Sequence, residues 1–192
     1  MQNSIKPVIL ASQSPRRIEL LKQIIAEFQV IPSEVEELFE SGRTPEENAL
    51  AVARDKALSV AQRYPGHCVI GADTIVVLGE EIIGKPRDPQ EAREILHRLA
   101  GREHRVITGI CVIDAETLQE TEDSTVRIKP LTDEEITRYV ESGEPLDKAG
   151  AYAIQGDGAF MVASYEGSYS NIVGLPLEIL RKLLRRTGHA TA

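Results

Sequence analysis

Short apolar runs alternate along the chain with stretches whose apolar residues recur every three or four positions. Residues 7–11, 28–31, 68–78 and 82–83 read as strands, because apolar runs this short suit buried sheet positions. Residues 105–114 and 122–129 read as two strands of a hairpin that turns near Ala115-Glu116-Thr117. Residues 15–26 place Ile18, Leu21, Ile24 and Ile25 on one helical face, and residues 44–63, 88–100, 132–140 and 175–186 are also expected to be helical. Pro65-Gly66 and Gly101 close two of these helices. Residues 150–170, rich in Gly and Tyr, read as loops and short strands. Interleaved strands and helices predict an α/β architecture, and the hairpins favour a mixed sheet over a purely parallel one. With no repeat, low-complexity segment or linker, residues 1–192 are expected to form a single domain.

A chain of 192 residues suits one domain, or one domain in two lobes. Aromatic residues are sparse at 4% and Trp is absent, so the core must be built from Ile, Val, Leu and Ala. No apolar run approaches the roughly 20 residues needed to span a membrane. The first residues lack the apolar core of a signal peptide, and a cytosolic protein is expected. Cys68 and Cys111 sit inside apolar runs and read as small buried hydrophobes. The four histidines are scattered, without metal-ligand spacing. A net charge of -8 argues against long nucleic acid, whose binding requires many phosphates to be neutralised. A small anion held by a few local cations is not excluded.

Three helix starts share one chemistry. Thr44, Asp88 and Thr132 each stand where a capping side chain belongs, with Glu47, Glu91 and Glu135 three residues later, as in a capping box. The first helix uses the same frame, with Ser14 as cap and Pro15 next, but Arg16 and Arg17 follow and Arg17 takes the glutamate position. Two cations at the positive end of a helix are unfavourable by roughly 0.3–1 kcal/mol each at exposed sites. A bound anion would relieve this: Ser12, Ser14, free backbone N–H groups and two guanidinium groups make a plausible phosphate site. Alternatively, the arginines point into water or pair with Glu19 or Glu27. On local rules alone, Arg17→Glu restores a capping box and stabilises the free protein.

Asp73 interrupts the most hydrophobic stretch of the chain, after Gly71 and Ala72. A lone buried carboxylate is costly and needs a cation, hydrogen bonds or a metal, so Asp73 is a candidate metal ligand or general base. A strand break with Asp73 in a turn is the plainer alternative. Gly71 and Ala72 are small enough to let something approach the backbone. Lys85, in Gly84-Lys85-Pro86-Arg87, and Lys56, within the second helix, would ordinarily be solvated surface lysines. Glu36 and Glu37 lie in an acidic run that reads as a solvated loop.

Taken in order, these segments resemble the Maf family. The matching pieces are Leu10-Ala11-Ser12-Gln13-Ser14-Pro15-Arg16-Arg17, Val35-Glu36-Glu37, Ala53-Arg54-Asp55-Lys56-Ala57, Gly71-Ala72-Asp73-Thr74 and Gly84-Lys85-Pro86-Arg87. They continue with Thr108-Gly109, the run from Glu144 to Gly156, and Gly174-Leu175-Pro176. The resemblance implies a mixed twisted sheet in two lobes with a central cleft, similar to the inosine triphosphate pyrophosphatases. It further implies hydrolysis of a nucleoside triphosphate to monophosphate and pyrophosphate, a divalent metal (Mg²⁺ or Mn²⁺) and a homodimer. By similarity, Ser12, Ser14, Arg16 and Arg17 would hold phosphate, Glu36 and Asp73 the metal, and Lys56, Lys85, Glu36 and Asp73 the chemistry. Thr74 and Gln155 would contact the substrate, with Gln155 reading the base. The Gly-Ala-Asp-Thr and Ala-Tyr-x-Ile-Gln-Gly versions look like the branch acting on dTTP and UTP, with Ala153 standing where that branch more often has Gly. Modified pyrimidine nucleotides are a compatible substrate class. A non-enzymatic nucleotide-binding regulator of cell division is the competing reading.

Overall fold

The computed structural model describes residues 6–191. Its strands are β1 (Val8–Leu10), β2 (Gln29–Val30), β3 (Cys68–Leu78), β4 (Glu81–Ile83), β5 (Glu103–Ile113), β6 (Thr117–Ile128) and β7 (Val162–Glu166). The α-helices are α1 (Pro15–Lys22), α2 (Pro45–Ala61), α3 (Pro89–Leu99), α4 (Asp133–Glu141), α5 (Tyr169–Val173) and α6 (Leu177–Arg186). The sheet runs β2-β1-β3-β5-β6-β7, with β4 on β3. It is mixed, as the alternation of runs and hairpins predicted: β1 is parallel to β2 and β3, whereas β3–β4 and β6–β7 are antiparallel.

The chain divides into two compact units, one holding residues up to Asp73, Thr108–Glu122 and the chain from Gly174 onward. The other holds Thr74–Ile107 and Asp123–Val173. In the first unit, α2 packs Ala53, Ala57 and Val60 against Ile9, Ala11, Val69 and Cys111. Two glycines set the closeness of that packing. A Cβ on Gly71 would run into Ala53 O and lie 2.8 Å from Ala57 N, and one on Gly109 would lie 2.6 Å from Ala49 O. The space left by Gly71 is therefore taken by a helix backbone, not by a ligand. Gly71→Ala should force α2 off the sheet, costing about 1–3 kcal/mol as overpacking does; urea unfolding would measure it, and an unchanged midpoint would contradict the packing described.

In the second unit, Val76, Ile95, Leu96, Leu99, Val106, Val126, Ile136, Tyr139 and Met161 form the core. The apolar face of α3 (Ala92, Ile95, Leu96, Leu99) is buried, and that of α4 buries Ile136, Tyr139 and Val140.

Three boundaries depart from the pattern-based reading. Helix α1 stops at Lys22, where Gln23 N–H bonds Leu20 O at 3.1 Å and Ile24 N–H bonds Leu21 O at 3.0 Å, tightening the last turn. Ile24 and Ile25 are buried all the same, delivered by that turn instead of by helix. Strand β6 begins at Thr117, five residues before its apolar pattern, because only Leu118 in its polar first half is buried inward. Residues 150–170 hold the short strand β7, the 3₁₀ segment Gly156–Met161, the end of another, Ala149–Ala151, and the start of α5. Cys68 and Cys111 are buried and unpaired by disulfides, with burial pushing both thiols up to about 12. Neither should react with a thiol reagent before unfolding; rapid labelling of the native protein would contradict their burial.

Candidate active site

Close packing of α2 on β3 decides the site. Lys56 lies next to Ala57, which Gly71 receives, and Asp73 stands two residues beyond Gly71 on β3. Lys56 Nζ donates to Asp73 Oδ1 and to Glu37 Oε1, each at 2.7 Å. Lys56 and Asp73 are only 8% and 3% exposed, so neither the solvated-lysine nor the strand-break alternative holds. Asp73 Oδ2 is buried and accepts no hydrogen bond from the described residues. Burial drives the Asp73 carboxyl above the ordinary carboxylate range, against the opposing pull of the Lys56 and Arg17 cations.

The start of α1 bears out its unusual sequence. Thr44 and Thr132 make full capping boxes with Glu47 and Glu135. Asp88 caps α3 through the Glu91 N–H at 2.8 Å, but the Glu91 carboxylate reaches back to Arg87 N and Nε, so the third box is incomplete. Ser14 makes no side-chain cap bond at all, and its own N–H donates to Ser12 Oγ at 3.2 Å. Arg17 donates from Nε to Gly174 O at 2.8 Å and approaches Ser12 Oγ from Nη1 at 3.4 Å. Desolvation lowers the Arg17 pKa, while the charges of Asp73 and Glu37 act to raise it. Arg17 therefore stands beside two carboxylates as well as at the helix start. Glu19 is taken by Lys22 at 2.6 Å, so it is not the partner of either arginine. Arg16 has no hydrogen-bonded or ion-paired partner among the described residues.

Of the two adjacent glutamates, Glu37 and not Glu36 joins this cluster. From Ile31 to Glu37 burial alternates, with Ile31, Ser33, Val35 and Glu37 partly buried and Pro32, Glu34 and Glu36 exposed. Extended backbone sends neighbouring side chains to opposite faces, so Glu36 is turned to solvent. The period-two pattern Ile31, Ser33, Val35 was available in the sequence and points to Glu37. The carboxylates of Asp73 and Glu37 are hard oxygen donors of the type Mg²⁺ or Mn²⁺ prefers, and the unpartnered Asp73 Oδ2 is a fitting ligand atom.

The remaining expected residues belong to the other unit. Thr74 follows Asp73 on β3 and is partly buried. Lys85, just after β4, and Gln155, on the loop before the 3₁₀ segment Gly156–Met161, are exposed.

A further titratable group was invisible to spacing rules. Cys68, Asp114 and His189 bring ligand-type atoms within 4.8 Å of one another. Lys6 is already ion-paired with Asp114, and the His189 ring nitrogens contact Thr187 Oγ1 at 2.8 Å and Lys6 O at 3.0 Å. Its partners are thus provided from within the chain, and it ties the segment after α6 to the strand edge at Lys6. On α6 itself, Lys182 and Arg186 meet Glu120 and Glu116.

The model of the Maf-like protein family matches residues 7–187. The dTTP/UTP pyrophosphatase of Geotalea uraniireducens is 48% identical over 98% of each chain. Another protein of that name, from Dictyoglomus turgidum, is 49% identical over 96% of this chain and 98% of its own. Among solved structures, the nucleoside-triphosphatase / dITP/XTP pyrophosphatase of Mycobacterium abscessus is 12% identical over 93% of each chain with a TM-score of 0.45, a likeness too slight to carry an argument. A family match over nearly the whole sequence, together with relatives this similar from end to end, means that the chain belongs to the Maf-like family.

Proposed function

We propose that this chain is a nucleoside triphosphate pyrophosphatase that hydrolyses dTTP and UTP, and modified pyrimidine nucleotides of the same shape, to the monophosphate and pyrophosphate. Relatives named for that activity, 45–49% identical over almost the full length, support the substrate class. One observation carries the chemistry: a buried carboxylate, Asp73, with one oxygen paired to Lys56 and the other unpartnered, next to the positively charged start of α1.

A triphosphate must be held by cations before a nucleophile can approach it. Arg16, Arg17, the Ser12 and Ser14 hydroxyls and the uncapped N–H groups of α1 supply an anion seat in this reading, with Lys56 and Lys85 as further cations. Asp73 takes the proton from the attacking water at Oδ2, and its raised pKa makes it a stronger base than an exposed aspartate. Lys56 fixes the carboxylate by holding Oδ1. Asp73 and Glu37 would hold a divalent metal, which when bound neutralises phosphate charge and acidifies water. Gln155, whose amide both donates and accepts, reads the pyrimidine edge, and Thr74, directly after Asp73 on β3, contacts the substrate. The enzyme is cytosolic and homodimeric in this reading; no helix among the described residues is long and apolar enough to cross a membrane.

Incubation with Mg²⁺ or Mn²⁺ and each common nucleoside triphosphate, with pyrophosphate and orthophosphate assayed separately, tests the proposal. Pyrophosphate should appear fastest from dTTP and UTP; orthophosphate as the main product would reject it. Glu37→Gln should cut turnover about 10- to 100-fold, whereas Glu36→Gln should leave it near the wild-type rate. Because Asp73 must be ionised to accept a proton, kcat/KM should fall as the pH is lowered through the titration of its carboxyl. A kcat/KM that does not fall in acid would remove Asp73 as the base.

A further inference from the structure

We propose that His104 and Tyr152 form a positioning pair that holds the Gln155 loop in its base-reading conformation; the inference rests on the assignment of Gln155 above.

The loop from Gly150 to Gly158 has an unusual backbone. Gly150 and Ala151 are consecutive left-handed residues, with φ of 71° and 57°, and Ala151 is the only non-glycine residue with positive φ among those described. Gly156, directly after Gln155, is left-handed too, at 66°. A non-glycine residue keeps that conformation only where its surroundings over-determine it, and such places cluster at ligand clamps. Here the surroundings are specific. A Cβ on Gly150 would meet Val76 at 2.8 Å, one on Gly156 would meet Glu144 Oε1 at 2.7 Å, and one on Gly158 would meet Ala153 O at 2.5 Å and the Tyr139 hydroxyl at 2.7 Å.

Two tyrosines then tie the loop down. The Tyr139 hydroxyl accepts the Ala153 N–H at 3.3 Å. The Tyr152 hydroxyl meets His104 Nε2 at 2.7 Å, and the two rings stand edge to face, 5.3 Å apart at 85°. Both members of that pair are buried, at 3% and 6% exposure. Burial drives the His104 pKa down to about 4 and the Tyr152 phenol up, so both are neutral at neutral pH. As a purely structural choice the histidine is poor, since Nδ1 is buried without a partner among the described residues. A leucine on β5 would fill similar space without that cost. What the imidazole adds is a directional partner for Tyr152, three residues before Gln155. Both side chains are buried, so their effect falls on how the amide of Gln155 is presented.

The ratio of kcat/KM for UTP over CTP reads this directly, because it does not depend on how much of a variant folds. Tyr152→Phe and His104→Leu should each reduce the ratio about 10-fold through a higher KM for UTP, with kcat within about threefold of wild type. The double variant should be no worse than either single one, as expected of two residues acting through one bond. His104→Gln, which keeps a hydrogen-bonding atom for Tyr152, should restore part of the ratio. An unchanged ratio in both single variants overturns the pairing role. Gln155→Ala separates the two levels: if it also leaves the ratio intact, the base-reading assignment of Gln155 falls, and if it alone collapses the ratio, only the positioning pair falls.

Discussion

Replacing Asp73 with Asn should lower kcat about a thousandfold, the middle of the range for loss of a general base, while the fold survives. The side chains are nearly isosteric, so Gly71, Ala57 and the seat of α2 are undisturbed. The stability change has a definite sign. Burial raises the Asp73 pKa above its unfolded value, so the ionised carboxyl costs folding free energy at every pH above the ordinary aspartate range. Asn removes that cost, and the cost vanishes by itself once the pH falls below the unfolded pKa. The variant should therefore melt at or above the wild-type temperature at neutral pH, with the advantage fading in acid. Thermal melts at pH 7 and pH 3.5, beside steady-state kinetics, check both halves. Turnover within tenfold of wild type would take Asp73 out of the mechanism.

Arg17→Glu is the second large effect, and here structure and local rules oppose each other. Helix capping alone says that a glutamate at this position stabilises α1. In the folded protein Arg17 donates to Gly174 O and stands beside Asp73 and Glu37. A glutamate would lose the bond and put a third carboxylate next to two others. Removing one member of a buried ionic group costs about 3–5 kcal/mol; Arg17 retains some exposure, so about 2 kcal/mol is expected. That corresponds to a melting temperature roughly 4–8 °C lower for a chain of this size. Affinity for a non-hydrolysable triphosphate should fall about 10- to 100-fold, the worth of a charge-assisted bond. A melting temperature above wild type would show that helix capping outweighs the carboxylates.

These two residues mark how far the sequence can be read. That α1 begins abnormally is evident from Ser14-Pro15-Arg16-Arg17 set against three acidic starts, and the uncapped Ser14 agrees. That Asp73 is special follows from one charge in an apolar strand. What local patterns cannot supply is the partner across space: Lys56 looks like any helical lysine until α2 settles on Gly71. The same limit hid the group of Cys68, Asp114 and His189, which lie far apart in sequence. The acidic run reads as solvated loop and does not separate Glu36 from Glu37; the family resemblance points to Glu36, although the alternation from Ile31 onward favours Glu37. The segment after Gly150 resisted reading because left-handed Gly150 and Ala151 and short 3₁₀ turns carry no hydrophobic period.

Hydrolysis of dTTP in ¹⁸O-water, followed by mass spectrometry of both products, tests the central claim most directly. Attack on the α-phosphorus places one ¹⁸O in the monophosphate and none in the pyrophosphate, and Asp73→Asn should slow the appearance of the labelled monophosphate about a thousandfold. Label in the pyrophosphate, or release of labelled orthophosphate, would contradict the account.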